Sequence, residues 1–268
     1  MADTWKPDQY ERFKSERSQP FYDLLGLVEP APAMQVVDLG CGTGELTADL
    51  HRRLQARRTV GMDQSAAMLG RAEKHATADV TFELGDLTAW SPPFAPDLIF
   101  SNAALQWVGD HPALFARLAA ALAPGGQFAV QMPMNFDYPS HVVAREVEEE
   151  EPFKGKLSKP NRIGVLLTPE QYATLLDDLG FHRQLVRMQV YAHHLDSREQ
   201  VVEWVKGTLL TEYETGLGPE LFPLFLERYR ARLLPRLRDT RPFFYPFKRL
   251  LLWGRKNGRG GREVIGNR

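Results

Sequence analysis

The stretch Val36-Val37-Asp38-Leu39-Gly40-Cys41-Gly42-Thr43-Gly44 runs an apolar segment into a loop with glycines at 40, 42 and 44, and an amphipathic pattern of Leu46, Leu50 and Leu54 follows at once. This is the pattern of a buried parallel strand, a tight turn and a helix. The glycines let the backbone turn sharply and keep side chains out of a ligand's way, and the helix N-terminus supplies N–H groups with no partner in the helix. The spacing departs from the dinucleotide fingerprint G-x-G-x-x-G, because Glu45 stands three places after Gly42 and the third glycine comes one place early, at Gly44. Asp38, before the first glycine, suits a cationic group such as an amino-acid ammonium better than a pyrophosphate. Read alone, the loop is equally a tight strand-to-helix turn that holds nothing.

The following strands add to the signal. Thr59-Val60-Gly61-Met62-Asp63 ends in an acid, about twenty residues on, where ribose hydroxyls are read in such folds. Val80-Thr81-Phe82-Glu83-Leu84 leads into Gly85-Asp86-Leu87. Acids at the C-terminal ends of three successive strands line one crevice. Strands at 35–38, 58–62, 80–84, 97–101 and 126–131 alternate with helices near 44–54, 65–75 and 112–122, the last opened by Asp110-His111-Pro112. Such alternation predicts an α/β fold, a doubly wound, mostly parallel sheet with helices on both faces. A helix at 169–179 opens with Thr168-Pro169-Glu170 and stops at Gly180, strand six follows at 184–191, and Arg249–Trp253 forms the last strand. Between strands six and seven, 197–208 and 219–236 show helical periodicity and are predicted to cap the crevice. Tyr10, Phe13, Arg17 and Phe21 share one face of a helical opening segment at 5–25. That face either covers the sheet or forms a lid.

The chain has 268 residues and a net charge of −1. That length supports one large domain, or one domain with an insertion. The balanced charge asks for neither nucleic acid nor an anionic membrane as partner, and no apolar run is long enough to span a bilayer. The start, MADTWKPDQYERF, is unlike a signal peptide. The single cysteine, Cys41, excludes an internal disulfide and points to a reducing cytoplasm. With no histidine near it in sequence, Cys41 reads as a small packing residue. Glu146 and Glu148–Glu151 read as a solvated helix face, and the glycine-rich basic segment at 257–268 as a mobile tail.

The chain resembles the class I S-adenosylmethionine-dependent methyltransferases in VVDLGCGTG at 36–44, Asp63, GDL at 85–87 and LAPGGQFAVQMP at 122–133. It is more closely similar to the trans-aconitate methyltransferase family. That likeness lies in WKPDQYERFKSERSQPFYDLL at 5–25, SNAALQWVGDH at 101–111, AVQMPMN at 129–135, PSH at 139–141, EWVKGT at 203–208 and PFKRLLLW at 246–253. The resemblance implies a single Rossmann-like methyltransferase domain with a seven-stranded sheet whose last strand runs antiparallel beside strand five. Its parts would be a helical lid at 1–30, a sheet core at 31–194 and 241–256, and a cap at 195–240. It also implies S-adenosylmethionine as cofactor, S-adenosylhomocysteine as product and a small-molecule substrate bound by a monomer or weak homodimer.

Methyl transfer from a sulfonium is an in-line displacement in which the protein mainly binds, aligns and excludes water. It requires no obligatory catalytic residue and no metal, and the chain carries no H-E-x-x-H, C-x-x-C or G-x-S-x-G motif. The expected cofactor holders are Asp38, Gly40, Cys41, Gly42 and Gly44 toward the methionine part, Asp63 on both ribose hydroxyls with Gln64 beside it, and Met68 on the adenine face. Asp86 accepts from the adenine amino group with Leu87 adjacent, and Asn102 reaches the methionine moiety. Met68 is equally a helix-core residue. A carboxylate acceptor is already ionised and needs no base. Arg17 is the candidate to grip it, with Tyr10, Gln106, Trp107 and His111 around it. Against these stand a surface ion pair of Arg17 with Glu16 or Asp23, a core role for Trp107 and a helix-start role for His111. The family commonly continues after EWVKGT with Leu-Arg-Pro, whereas this chain reads Leu209-Leu210-Thr211-Glu212-Tyr213, with Thr211 in place of the arginine and an acid next to it. Thr211 would weaken the grip on a second carboxylate. Alternatives are O- or N-methylation of another small molecule, a cofactor-binding protein without catalysis, and a nicotinamide-dependent oxidoreductase, which the early third glycine disfavours.

Overall fold

The structure, a computed structural model, describes residues 14–157 and 166–258, with side chains from residue 18 onward. Tyr10 with the rest of residues 1–13, the side chain of Arg17 and nearly all of the basic tail lie outside the described residues. Two compact units emerge. A sheet unit is drawn from Arg17–Pro133, Val165–Gln189 and Leu250–Arg268, and a helical unit from Met1–Glu16, Met134–Gly164 and Val190–Arg249.

In the sheet unit, helix α1 (Lys14–Leu25) precedes β1 (Gln35–Leu39), α2 (Glu45–Leu54), β2 (Arg58–Asp63), α3 (Ala66–Ala72), β3 (Val80–Leu84), β4 (Leu98–Asn102), α4 (His111–Ala121) and β5 (Gln127–Pro133). Helix α6 (Pro169–Asp178) and parts of two long strands, β6 (Arg183–Leu195) and β7 (Phe243–Arg255), complete it. The seven strands lie in the order β3-β2-β1-β4-β5-β7-β6. β1 pairs in parallel with β2 and β4, β2 with β3, and β4 with β5. The strand order therefore reverses between β1 and β4, and ligands bind at the carboxyl ends of strands at such a switch point. β7 runs antiparallel to β5: Gly125 N–H donates to the Asn257 carbonyl at 3.2 Å and Lys256 N–H to the Gly126 carbonyl at 3.0 Å. The mixed sheet is the one expected from the sequence.

The parallel strands form because their residues are apolar on both faces. Val36, Val37, Leu39, Leu98 and Phe100 are all fully buried. Phe21 of α1 packs edge-on against Phe100 with ring centroids 5.0 Å apart, so the end of the opening segment covers the sheet. Helix starts are where the sequence puts them. Asp110 caps Ala113 N–H at 3.1 Å, and Thr168 with Gln171 makes a capping box.

The helical unit holds α5 (Pro139–Glu148), α7 (Glu199–Lys206) and α8 (Leu209–Leu233), which breaks at Gly218 (φ 68°) ahead of Pro219. Val143, Val147, Phe153, Trp204, Val205, Leu210, Tyr213, Phe225 and Tyr229 share its core. It is larger than the expected cap, since it includes α5 and the ends of both long strands. The strand ends are hard to read because 243–247 alternates buried with less buried residues around Pro246, while Arg249–Gly254 is continuously buried. The glutamate run is also not simply solvated. Glu146 pairs with Arg236, Glu150 with Arg228 and Arg232, and Glu148 accepts the Tyr213 hydroxyl at 2.9 Å.

The buried Tyr229 hydroxyl donates to the Ser140 carbonyl at 3.0 Å, joining α8 to α5. Tyr229→Phe keeps the ring and removes that bond, so it should cost about 1 kcal/mol. Urea denaturation should show a lower midpoint with an unchanged slope. An unaltered midpoint would mean the hydroxyl contributes nothing to stability.

Candidate active site

The candidate site lies in the sheet unit, at the carboxyl ends of β1 to β4. The loop between β1 and α2 needs its glycines for different reasons. A Cβ on Gly40 (φ +78°) would sit 2.2 Å from the Ala104 Cβ, and one on Gly44 would meet Phe82 and Ala72 within 2.8 Å. A Cβ on Gly42 would meet nothing within 4 Å. Gly40 and Gly44 thus pack the loop against β4, β3 and α3, and Gly42 presents bare backbone to open space. Gly40 and Cys41 N–H both donate to the Met62 carbonyl, at 2.7 and 3.0 Å, holding the loop to the end of β2.

Asp63 clamps the same junction. Its Oδ2 accepts Gly42 N–H at 2.8 Å and its Oδ1 accepts Ser65 N–H at 2.9 Å. These two bonds orient the carboxylate at the junction of the loop and β2. Gln64 is exposed beside it, and Met68, capped by Ser65 at 3.1 Å, is buried. Asp38 is buried and accepts the Thr47 hydroxyl at 2.6 Å. Burial pushes its pKa up to about 7; the Thr47 bond opposes this and the Asp63 charge adds to it. Cys41 is buried, with its thiol pushed up first by burial and then by the two aspartates, as a packing residue requires.

Asp86 is exposed and accepts both N–H and hydroxyl of Thr88 at 2.8 Å, which hold its carboxyl below its ordinary range. Leu87 beside it is buried. Arg117 of α4, which the sequence reading did not single out, donates to the Leu87 and Trp90 carbonyls and fixes this turn. Only its place four residues after Ala113 on an otherwise apolar helix marks it in the sequence.

At the end of β4, Ser101 donates to the Leu39 carbonyl at 2.8 Å, locking β4 to β1. Ala103 then takes φ +56°, and Gln106 Nε2 donates to its carbonyl at 2.7 Å. Asn102 Oδ1 and Gln106 Oε1 are buried acceptors with no hydrogen-bond partner among the described residues. Trp107 is half-buried in the same turn. His111 departs from an orienting role toward substrate. It is fully buried; its Nε2 donates to the Leu105 carbonyl at 3.0 Å, and its Nδ1 accepts the Tyr172 hydroxyl at 2.6 Å. Burial lowers its pKa, so the ring is a neutral brace between this turn and α6.

The crevice is rich in acceptors: Asp38, Asp63, Asp86 and the orphan amide oxygens of Asn102 and Gln106. Such a set fits a ligand that carries hydroxyl and amine donors with positive charge, and is wrong for a pyrophosphate. S-adenosylmethionine, with its ammonium, sulfonium, ribose diol and adenine amine, meets that requirement.

Comparison with known proteins agrees. A model described as a methyltransferase domain matches residues 36–126. A trans-aconitate 2-methyltransferase from Deinococcus radiodurans is 43% identical over 92% of this chain and 96% of its own length. A protein of the same name from Mycobacterium sp. (strain KMS) is 38% identical over 94% of this chain and 99% of its own. In fold, the crystal structure of the YcgJ protein from Bacillus subtilis aligns with a TM-score of 0.60 at 15% identity, covering 89% of this chain and 98% of that one.

Asp38 also generates a test. Its folded pKa of about 7 lies above its ordinary value of 3.8, so between those values the folded state keeps a proton that the unfolded chain loses. Stability of the ligand-free protein should therefore fall as pH rises from about 4 to 7 and then level off. Asp38→Asn removes that slope and should gain on the wild type at pH 8 by on the order of 4 kcal/mol, with little difference near pH 4. Parallel stability curves for the two proteins across this range would refute the shift.

Proposed function

The chain belongs to the trans-aconitate methyltransferase family, a family of S-adenosylmethionine-dependent enzymes, and on that premise we propose that it forms a methyl ester on one carboxylate of a small acid of the trans-aconitate kind. When bound, the cofactor supplies an electrophilic methyl carbon and a neutral leaving group. Asp63, oriented by Gly42 and Ser65, would hold the ribose diol, Gln64 standing beside it. Asp38, Asn102 and the loop of Gly40, Cys41, Gly42 and Gly44 would hold the methionine end. Asp86 would accept from the adenine amine, between Leu87 and Met68.

The state of His111 carries the choice of a carboxylate. An alcohol acceptor needs a base to take its proton, and the histidine of this turn is neutral and engaged at both nitrogens within the protein. A carboxylate has no proton to lose at neutral pH. The protein's task is then orientation, which we assign to Arg17 and Tyr10 of the opening segment with Gln106 and Trp107. Thr211, whose hydroxyl donates to the Lys206 carbonyl at 3.2 Å, stands where the family resemblance places an arginine. The reading routes no step through a metal. Among the described residues no helix is long and apolar enough to cross a membrane. The single cysteine and balanced charge support a cytoplasmic protein, and we propose a monomer or weak homodimer.

Asp63→Ala should weaken S-adenosylhomocysteine binding at least about tenfold, since hydrogen bonds to a charged group are worth about 1.5–3 kcal/mol each. Calorimetry giving the wild-type affinity would place the ribose elsewhere.

Steady-state kinetics in chelator-containing buffer test the acceptor. Arg17→Ala should raise KM for trans-aconitate by about tenfold or more, and Thr211→Arg should lower it. Wild-type kinetics in both variants would discard the two positions as acceptor contacts.

A further inference from the structure

The turn after β4 is held tightly by its own backbone. Ala103 sits at φ +56°, a conformation that is strained for a residue with a Cβ and persists only where its neighbours enforce it. Two bonds do so. Ala103 N–H donates to the Gln131 carbonyl at 2.9 Å, and the Ala103 carbonyl accepts Gln106 Nε2 at 2.7 Å. The Ala104 carbonyl accepts Trp107 N–H at 3.1 Å, and the Leu105 carbonyl accepts Val108 N–H and His111 Nε2, both at 3.0 Å. Ala104 also packs against the glycine loop, since a Cβ on Gly40 would strike its own. The turn is therefore tied to the loop after β1, and its carbonyls at 103, 104 and 105 are all engaged within the protein.

The acceptors left over belong to two side chains. Asn102 Oδ1 and Gln106 Oε1 are buried and receive no hydrogen bond among the described residues. A buried acceptor in that state costs about 1–3 kcal/mol, and two in one turn call for a ligand that brings donors or positive charge. For Gln106 the sense of the amide is fixed. A carbonyl can only accept, so the NH2 end faces Ala103 and the oxygen faces away from it. An amide oxygen repels a carboxylate, so this end of Gln106 suits a cation and not an acid. S-adenosylmethionine carries two cationic groups, an ammonium and a methylsulfonium. Only the second loses its charge when the methyl group leaves.

We propose that Gln106 acts on the methyl donor: its Oε1 faces the positive methylsulfonium and makes the site prefer S-adenosylmethionine to the neutral thioether S-adenosylhomocysteine. Asn102, at the end of β4, is left to the ammonium, which both ligands share. Transfer removes the charge that Gln106 attracts, which loosens the product and favours its release. The inference rests on the cofactor and is independent of which acid is methylated. It also defines the orienting part given to Gln106 above, as one exerted on the donor's cation.

Calorimetry on the full-length protein without methyl acceptor tests this. The ligands are S-adenosylmethionine, S-adenosylhomocysteine and sinefungin, an analogue with a charged amine in place of the methylsulfonium. Gln106→Met removes the oxygen and keeps the length of the side chain. It should weaken sinefungin about tenfold or more, through loss of a charge-assisted N–H bond. S-adenosylmethionine should weaken roughly threefold, because a C–H contact is worth less, and S-adenosylhomocysteine by less than about twofold. Gln106→Glu puts negative charge at the same place and should shift both cations the other way relative to S-adenosylhomocysteine, by about threefold or more. Affinity for S-adenosylhomocysteine reports any damage from losing the bond to Ala103, so the ratios are free of it. If Gln106→Met weakens all three ligands by one factor, the residue serves only the fold of the turn. If it weakens none, the oxygen does not meet the donor. Either result, or a Gln106→Glu ratio that moves with that of Gln106→Met, overturns the proposal.

Discussion

The clamp that Asp63 makes on Gly42 and Ser65 is the constraint on which the candidate site depends. It joins the loop after β1 to the end of β2 through two backbone N–H groups, at 2.8 and 2.9 Å. The Met62 carbonyl reinforces the joint by receiving Gly40 and Cys41. The loop can come this close because Gly40 and Gly44 carry no Cβ to strike Ala104, Phe82 or Ala72. Once the loop is fixed, Gly42 faces open space just ahead of α2. On the proposed function the same carboxylate that shapes the loop also meets the ligand, so the turn's architecture and its chemistry cannot be separated by a single substitution.

A second layer of positioning comes from α4. His111 at its start reaches back to Leu105, and Arg117 further along grips the turn of Leu87 and Trp90. One helix thereby sets both the turn that carries Asn102, Gln106 and Trp107 and the turn that carries Asp86. These are bonds to backbone carbonyls. Their effect is to hold geometry, which is what a displacement reaction without a protein nucleophile asks of its enzyme.

Much of this was legible in the sequence, for a physical reason. β1 to β5 are buried on both faces, so their apolar runs stand out, and the glycines and terminal acids of the crevice follow them at fixed places. What was not legible depends on long-range burial. Pro246 hides the first half of β7, and the acidic run after Glu146 masks a helix end whose arginine partners lie some eighty to ninety residues away. His111 reads in sequence as both a helix start and a polar site residue. Only its contact with Tyr172, 61 residues away, decides between them. Arg249 sits inside a segment quoted for its family likeness, and nothing local marks that arginine as buried.

The sheet unit gathers acceptors around its glycine loop, which suits a cationic ligand with many donors. A carboxylate needs no deprotonation, so the reaction places little demand on acid–base groups and selectivity must reside in charge matching. On the proposed function, substitutions among the residues that orient the acceptor change which acid is accepted and leave cofactor binding intact, and relatives can diverge in substrate without altering the β1 loop. Thr211, in place of an arginine, would be a change of that kind, with the clamp at Asp63 untouched.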